Sequence, residues 1–266
     1  MIRLACQEQL LPGTSLAERW DAGRAMGFDA VELRGAGGHG LRARLPELRA
    51  ARAQGVVVSG VCPEMTHFIG DFDPARRRDA ADNLRSQLSV VAELGGLGVI
   101  TPAAWGLWSN RLPPFVDPPR TPAQDREVLA ELLAGLGEHA VREGVTLWVE
   151  PLNRYEDHMV NTVAQAAALV VAAGGRGLGV MLDTYHANIE ERELASAVRS
   201  VALGHVHLSD SNRLAPGRGH VDFAAVLDAL VATGYGGYLA MECRLDGDPS
   251  EILPRAVRHV RDRLPR

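Results

Sequence analysis

Four stretches of this sequence run through apolar residues into a side chain that can bind a metal ion. They are Leu147-Trp148-Val149-Glu150, Val180-Met181-Leu182-Asp183, His205-Val206-His207 and Leu239-Ala240-Met241-Glu242. A carboxylate that follows three apolar residues is costly to desolvate unless a cation or hydrogen-bond donors meet it. Any one of these carboxylates could cap a helix or form an ion pair. Three of them with an imidazole, each at the same place in its run, call for a shared cation. The set is hard to borderline, which suits Mn²⁺, Co²⁺ or Mg²⁺ better than the thiolate-rich sites of structural zinc. Mn²⁺ is the expected ion. His205 and His207 face the same side of a strand because side chains alternate with period two. His207, nearer the C-terminal end, is the expected ligand, and His205 takes a supporting or core place.

Such residues converge only if the elements that carry them do. Eight short apolar runs read as strands: Ile2–Cys6, Ala30–Leu33, Val56–Val61, Leu97–Ile100, Val145–Val149, Leu178–Leu182, Gly204–Leu208 and Tyr238–Met241. Runs this apolar are expected when both faces of a parallel strand are covered. Between them lie helix signals: Ser15 with Glu18, Thr121-Pro122 with Gln124, Thr162 with Gln165, and Asp248-Pro249 with Glu251. Gly27, Gly55, Gly95, Gly144 and Gly174 close these helices. Buried stripes fall at Leu84, Leu88 and Val91, at Leu129, Leu132, Leu133 and Leu136, and at Phe223, Val226, Leu227 and Leu230. Eight strands each followed by a helix close into an α/β fold, a single (β/α)₈ TIM barrel over residues 1–266. The ends of adjacent strands then meet at one mouth. The long irregular stretch Ala103–Arg120, with Trp105, Trp108, Pro113, Pro114, Pro118 and Pro119, reads as a loop of that one domain.

Composition agrees. The chain has 266 residues, 46% hydrophobic and 23% charged, as expected of a core-forming domain. A net charge of −5 disfavours a nucleic-acid partner. The Arg76-Arg77-Arg78 run, at the start of a helix, reads as a solvated face. No stretch approaches the roughly 18 apolar residues of a membrane span, and Met1–Gln7 lacks a signal-peptide core, so a cytoplasmic place and no membrane partner are expected. Cys6, Cys62 and Cys243 are far apart and suggest neither a disulfide framework nor a C-x-x-C metal site.

The segments Glu150-Pro151-Leu152-Asn153-Arg154-Tyr155-Glu156, Asp183-Thr184-Tyr185-His186 and His207-Leu208-Ser209-Asp210-Ser211-Asn212-Arg213, with Pro216-Gly217-Arg218-Gly219, resemble the xylose isomerase-like barrel superfamily. Within it they are most similar to the D-tagatose 3-epimerase and D-psicose (allulose) 3-epimerase group. The resemblance is sharp from Trp148 to Glu242, and upstream it rests on the barrel pattern and on Gly27–Leu33. It implies that Glu150, Asp183, His207 and Glu242 bind one divalent metal and that Glu150 and Glu242 are also the acid/base pair. It further implies that Glu156, His186 and Arg213 contact a small-molecule sugar, and that the chain forms a homodimer or homotetramer.

The implied reaction inverts C3 of a ketose through an enediolate. A proton beside a ketone is weakly acidic, and inversion takes a proton from one face and returns one to the other. Aldose–ketose, hydroxypyruvate-type or inosose-type isomerisation, and sugar lyase or dehydratase chemistry, are the alternatives on the same metal site. An endonuclease IV-like phosphodiesterase would need several metals and a basic face. Gln7-Glu8-Gln9 and Pro63-Glu64-Met65-Thr66-His67 depart from a ketohexose pocket, which leaves substrate size and phosphorylation open. Trp105 and Trp108 either wall the sugar or pack their loop, and Glu64 and His67 are candidates for the mouth.

Overall fold

The computed structural model describes residues 1–37, 39–108 and 116–264. Pro113 and Pro114 lie outside the described residues. Eight parallel strands form one closed barrel in chain order: β1 (Arg3–Gln7), β2 (Ala30–Arg34), β3 (Val58–Cys62), β4 (Gly98–Pro102), β5 (Thr146–Glu150), β6 (Leu178–Asp183), β7 (Leu203–Leu208) and β8 (Tyr238–Met241). The register of β1 on β8, from Arg3 opposite Tyr238 to Cys6 opposite Met241, shuts the ring. Several strands reach further than their apolar runs. β5 and β6 include the terminal Glu150 and Asp183, because ladder pairing continues to the residue that turns into the mouth.

The helices start where their capping residues stand. Ser15 and Glu18 make a reciprocal capping box at α1 (Leu16–Met26). α2 (Gly40–Ala43) and α3 (Leu45–Ala53) follow β2, then α4 (Pro74–Leu94) and α5 (Pro122–Glu143). Thr121 with Gln124 boxes the start of α5, and Thr162 with Gln165 that of α6 (Val163–Ala172). α4 and α5 end at Gly95 and Gly144, whose φ values of 77° and 72° are left-handed and strained for any side chain. Leu84, Leu88 and Val91 of α4, and Leu129, Leu133 and Leu136 of α5, are buried; Leu132 is only half-buried. No helix among the described residues is long and apolar enough to cross a membrane. The arginine run departs from a plain solvated face. Arg76 and Arg78 are exposed, but Arg77 turns back and donates to the carbonyl oxygens of Asp71 and Phe72 at 2.8 and 3.2 Å.

Period two decides what fills the barrel. Trp148 and Glu150 both point inward, as do His205 and His207. Trp148 plugs the interior with Cys62, Ile100 and Met181 around it. Its ring occupies the space left by glycines on four other strands: a Cβ at Gly60, Gly98 or Gly179 would lie 3.0–3.1 Å from it, and one at Gly204 closer still. On its other side His205 stacks at 4.7 Å with an interplanar angle of 12°. The mouth above this plug is polar, whereas Trp148, Cys62, Ile100 and Met181 are all buried.

Candidate active site

Glu150 and Asp183 are the last residues of β5 and β6, His207 is the penultimate residue of β7, and Glu242 stands one past β8. Glu242 N–H still donates to Leu208 O at 3.2 Å, so its backbone is held by the sheet. One donor atom from each of the four residues lies within 4.8 Å of the other three. His207 Nδ1 is 2.9 Å from Glu242 Oε2 and 3.9 Å from both Glu150 Oε1 and Asp183 Oδ2. This buried nitrogen has no aligned hydrogen-bond partner. An orphaned imidazole nitrogen among three carboxylates is the arrangement a divalent cation satisfies, so these residues fit a metal. Asp183 divides its two oxygens between its helix and the mouth, where Oδ2 is met by Arg213. Its Oδ1 caps α7 (Thr184–Glu190) by accepting from Tyr185 N and His186 N, while Oδ2 faces the mouth.

In this cluster the two glutamates are pushed in opposite directions. Burial, with the negative charges of Glu242 and Asp183 beside it, raises Glu150 well above the ordinary carboxylate range. Burial also opposes the charge on Glu242, but His207 and the Arg213 guanidinium together hold it well below that range. Two carboxylates whose environments separate their proton affinities are a recurring acid/base arrangement.

The residues expected on the sugar line the same cavity, about 500 Å³ in volume and within the roughly 300–1,000 Å³ usual for small-molecule sites. His186 Nδ1 accepts from Asn153 N–H at 3.2 Å and Nδ2 at 2.8 Å, which leaves Nε2–H to donate outward. Burial lowers its proton affinity, so the ring is neutral. Glu156 is held by Asn153 Nδ2 at 2.8 Å and by Trp105 Nε1 at 3.0 Å. Arg213 sits at a left-handed φ of 63°, and its guanidinium donates to Asp183 Oδ2 at 2.6 Å and to Glu242 Oε2 at 2.7 Å. Glu156 and Arg213 are therefore each tied into the mouth rather than paired with each other on the surface.

The remaining candidates separate. Trp105 and Glu64 line the cavity. Trp108 instead donates to Val116 O at 3.2 Å and meets Phe72 edge-on, and His67 faces away, 2.8 Å from Asp79. His67 therefore does not line the mouth, because the carboxylate at the start of α4 takes its ring. Cys62 lines the cavity, and Cys6 and Cys243 are buried and free. Four residues that sequence reasoning passed over also matter. Arg34 lines the side of the cavity where Glu64 enters, its Nε 4.0 Å from Glu64 Oε2. Asn153 orients both His186 and Glu156. Asp157 is fully buried and accepts from Ala104 N at 3.0 Å and Met159 N at 2.6 Å, tying the Trp105 loop to the β5 loop. Burial pushes its carboxyl up to about 6. Glu32, inside β2, contacts both histidines of β7. Its signal was the same as that of Glu150, Asp183 and Glu242, a carboxylate among apolar neighbours, but it stands in mid-strand rather than at an end.

A closed parallel barrel with its polar residues gathered at the C-terminal mouth is the architecture of TIM-barrel enzymes. The chain belongs to the xylose isomerase-like TIM barrel family, whose sequence profile it matches over residues 20–263. It is 36% identical over 254 residues to the 3-dehydro-D-guloside 4-epimerase of Escherichia coli K12, covering 94% of this chain and 95% of that one. It is 32% identical over 225 residues to a D-psicose 3-epimerase of Agrobacterium fabrum, covering 82% and 75%. The crystal structure of a 3-keto-D-glucoside 4-epimerase from E. coli superposes with a TM-score of 0.92 at 35% identity, over 98% of this chain and 100% of that one. These relatives are sugar epimerases, and the chain is an enzyme of the isomerase type.

Proposed function

We propose that the protein inverts the carbon beside the ketone of an uncharged keto-sugar, with Glu150 and Glu242 as its proton-moving pair. The observation that carries this reading is that the two glutamates enter one cavity from strands that are not neighbours, with His207 between them. Glu150, Asp183, His207 and Glu242 would hold a divalent ion, with Mn²⁺ proposed. When bound, that ion supplies Lewis-acid stabilisation of the charge that builds as the C–H bond breaks. One glutamate takes the proton from its face of the carbon, and the other returns a proton to the opposite face. Across the intervening enediolate, His186 Nε2–H and the Arg213 guanidinium donate to the substrate's oxygens. Glu156 accepts from a hydroxyl, held in place by the indole N–H of Trp105.

Inversion at C4 of a 3-keto-glycoside and inversion at C3 of a free 2-ketose are the same chemistry, each at the carbon next to the ketone. The near-complete span of the E. coli relative supports the glycoside. So do the departures from a ketohexose pocket at Gln7–Gln9 and Pro63–His67, from which Glu64 lines the cavity. The D-psicose 3-epimerase relative supports the free ketose as the second reading. Away from the residues gathered at the ion, Glu64 and Glu156 outweigh Arg34, which disfavours a phosphorylated substrate.

Incubating the Mn²⁺-loaded protein with a panel of 3-keto-glycosides and free and phosphorylated ketoses in D₂O, read by NMR, tests this directly. Deuterium at C4 of a 3-keto-glycoside, with its epimer appearing, is the expected result. Deuterium at C3 of a free ketose would select the second reading, and deuterium at C1 with aldose formed would make the enzyme an isomerase of the aldose–ketose kind. No exchange with any sugar would sink the proposal. Arg34→Ala should then raise KM about tenfold with kcat little changed, as loss of one charge-assisted contact made equally in ground and transition states does; a matched fall in kcat would place Arg34 in the chemistry instead.

A further inference from the structure

The proton transfers leave unused a carboxylate with no exposed surface at all. Glu32 lies on β2, opposite β7 across the interior, and is 0% exposed. Its Oε1 is 2.8 Å from His207 Nε2 and accepts from Gln7 Nε2 at 3.2 Å, while its Oε2 is 2.7 Å from His205 Nε2. Three nitrogens thus meet two oxygens, and a buried carboxylate so met is stable where it stands.

We infer that Glu32 is a positioning residue for the metal site, an inference that rests on the metal reading above. By engaging Nε2 of His207, Glu32 leaves Nδ1 as the one ring nitrogen able to ligate, and turns it toward Glu150, Asp183 and Glu242. Histidines that bind metals commonly give their other N–H to a carboxylate, which fixes both tautomer and ring orientation. His205 completes the support. Its ring is clamped on Trp148, and its bond to Oε2 stops the Glu32 carboxylate from rotating away from His207. Glu32, His205 and His207 are also close enough together to hold an ion themselves. Their facing atoms already satisfy one another, however, whereas His207 Nδ1 on the other side stands among three carboxylates with no aligned hydrogen bond. The open valence points to the mouth and not to Glu32.

Glu32→Gln keeps the shape and removes the charge. Its amide can still accept from His207 and, after a tautomer change in His205, donate to it. Mn²⁺ alone is titrated into the metal-free variant by calorimetry, the thermal transition of the metal-free protein is recorded, and the visible spectrum of the Co²⁺-loaded protein is taken. The expected result is Mn²⁺ affinity weakened by about 10- to 100-fold, an unchanged metal-free transition and shifted Co²⁺ bands. Affinity within about twofold of wild type overturns the inference, as does a lowered metal-free transition with intact affinity. If Glu32→Gln does not fold, His205→Phe carries the test, since it keeps a ring against Trp148 and removes only the bond to Oε2. A several-fold loss of affinity is then expected, and none would overturn the inference. A wild-type protein that takes up neither Mn²⁺ nor Co²⁺ would overturn the metal reading itself.

Discussion

Glu150→Gln and Glu242→Gln should each stop inversion almost completely, by about 10³-fold or more, since a positioned acid or base contributes roughly 10²–10⁴ and each glutamate also faces the metal site. The more telling result concerns exchange. With two bases on opposite faces, each variant keeps one carboxylate able to remove the proton that points at it. In D₂O, Glu150→Gln should therefore still label one epimer at a residual rate, and Glu242→Gln the other, while neither interconverts them. Labelling each purified epimer separately, with both variants saturated in Mn²⁺, reads this pattern by NMR. Loss of inversion in one variant and its survival in the other would mean a single base that swings between faces, which is the isomerase-like alternative.

Trp148→Ala should lower stability by about 3–5 kcal/mol, the range for removing a large buried aromatic side chain. The upper part of that range is expected because the glycines at positions 60, 98, 179 and 204, which touch the ring on four strands, carry no side chains that could move in. The stack beneath His205 would go as well, so the support of Glu32 and His207 loosens with the fold. Denaturant unfolding of the metal-free protein measures the first effect. A loss under about 1.5 kcal/mol would show that the interior collapses onto the gap, contrary to the account of a rigid glycine-lined socket.

The barrel was legible because parallel strands buried on both faces leave uninterrupted apolar runs, and because Ser15, Thr121 and Thr162 announce helices with their boxed partners three residues on. The residues gathered at the mouth could be read for a related reason: Glu150, Asp183 and Glu242 interrupt such runs at their ends, where ligands belong. Glu32 interrupts one in the middle. Nothing local tells a buried carboxylate's partners when they stand 173 and 175 residues away on β7. Trp105 and Trp108 share a loop and a residue type, and only tertiary packing sends one to the cavity and the other against Phe72. His67 is two residues from Met65, which lines the cavity, yet Asp79 takes it elsewhere. Asn153 carries no charge and no periodic signal, so its double hold on His186 and Glu156 appears only in three dimensions.

The buried indole of Trp148 fills the barrel beneath a cavity that opens at the mouth. On the proposed reading, substrate enters and epimer leaves past the same rim of Trp105, Arg34 and Glu64. Turnover is then a sequence of visits rather than a flow, in which the product must vacate before the next sugar arrives. An accumulating epimer occupies the doorway as effectively as the starting sugar does, so the direction of net conversion is set by what the surroundings remove.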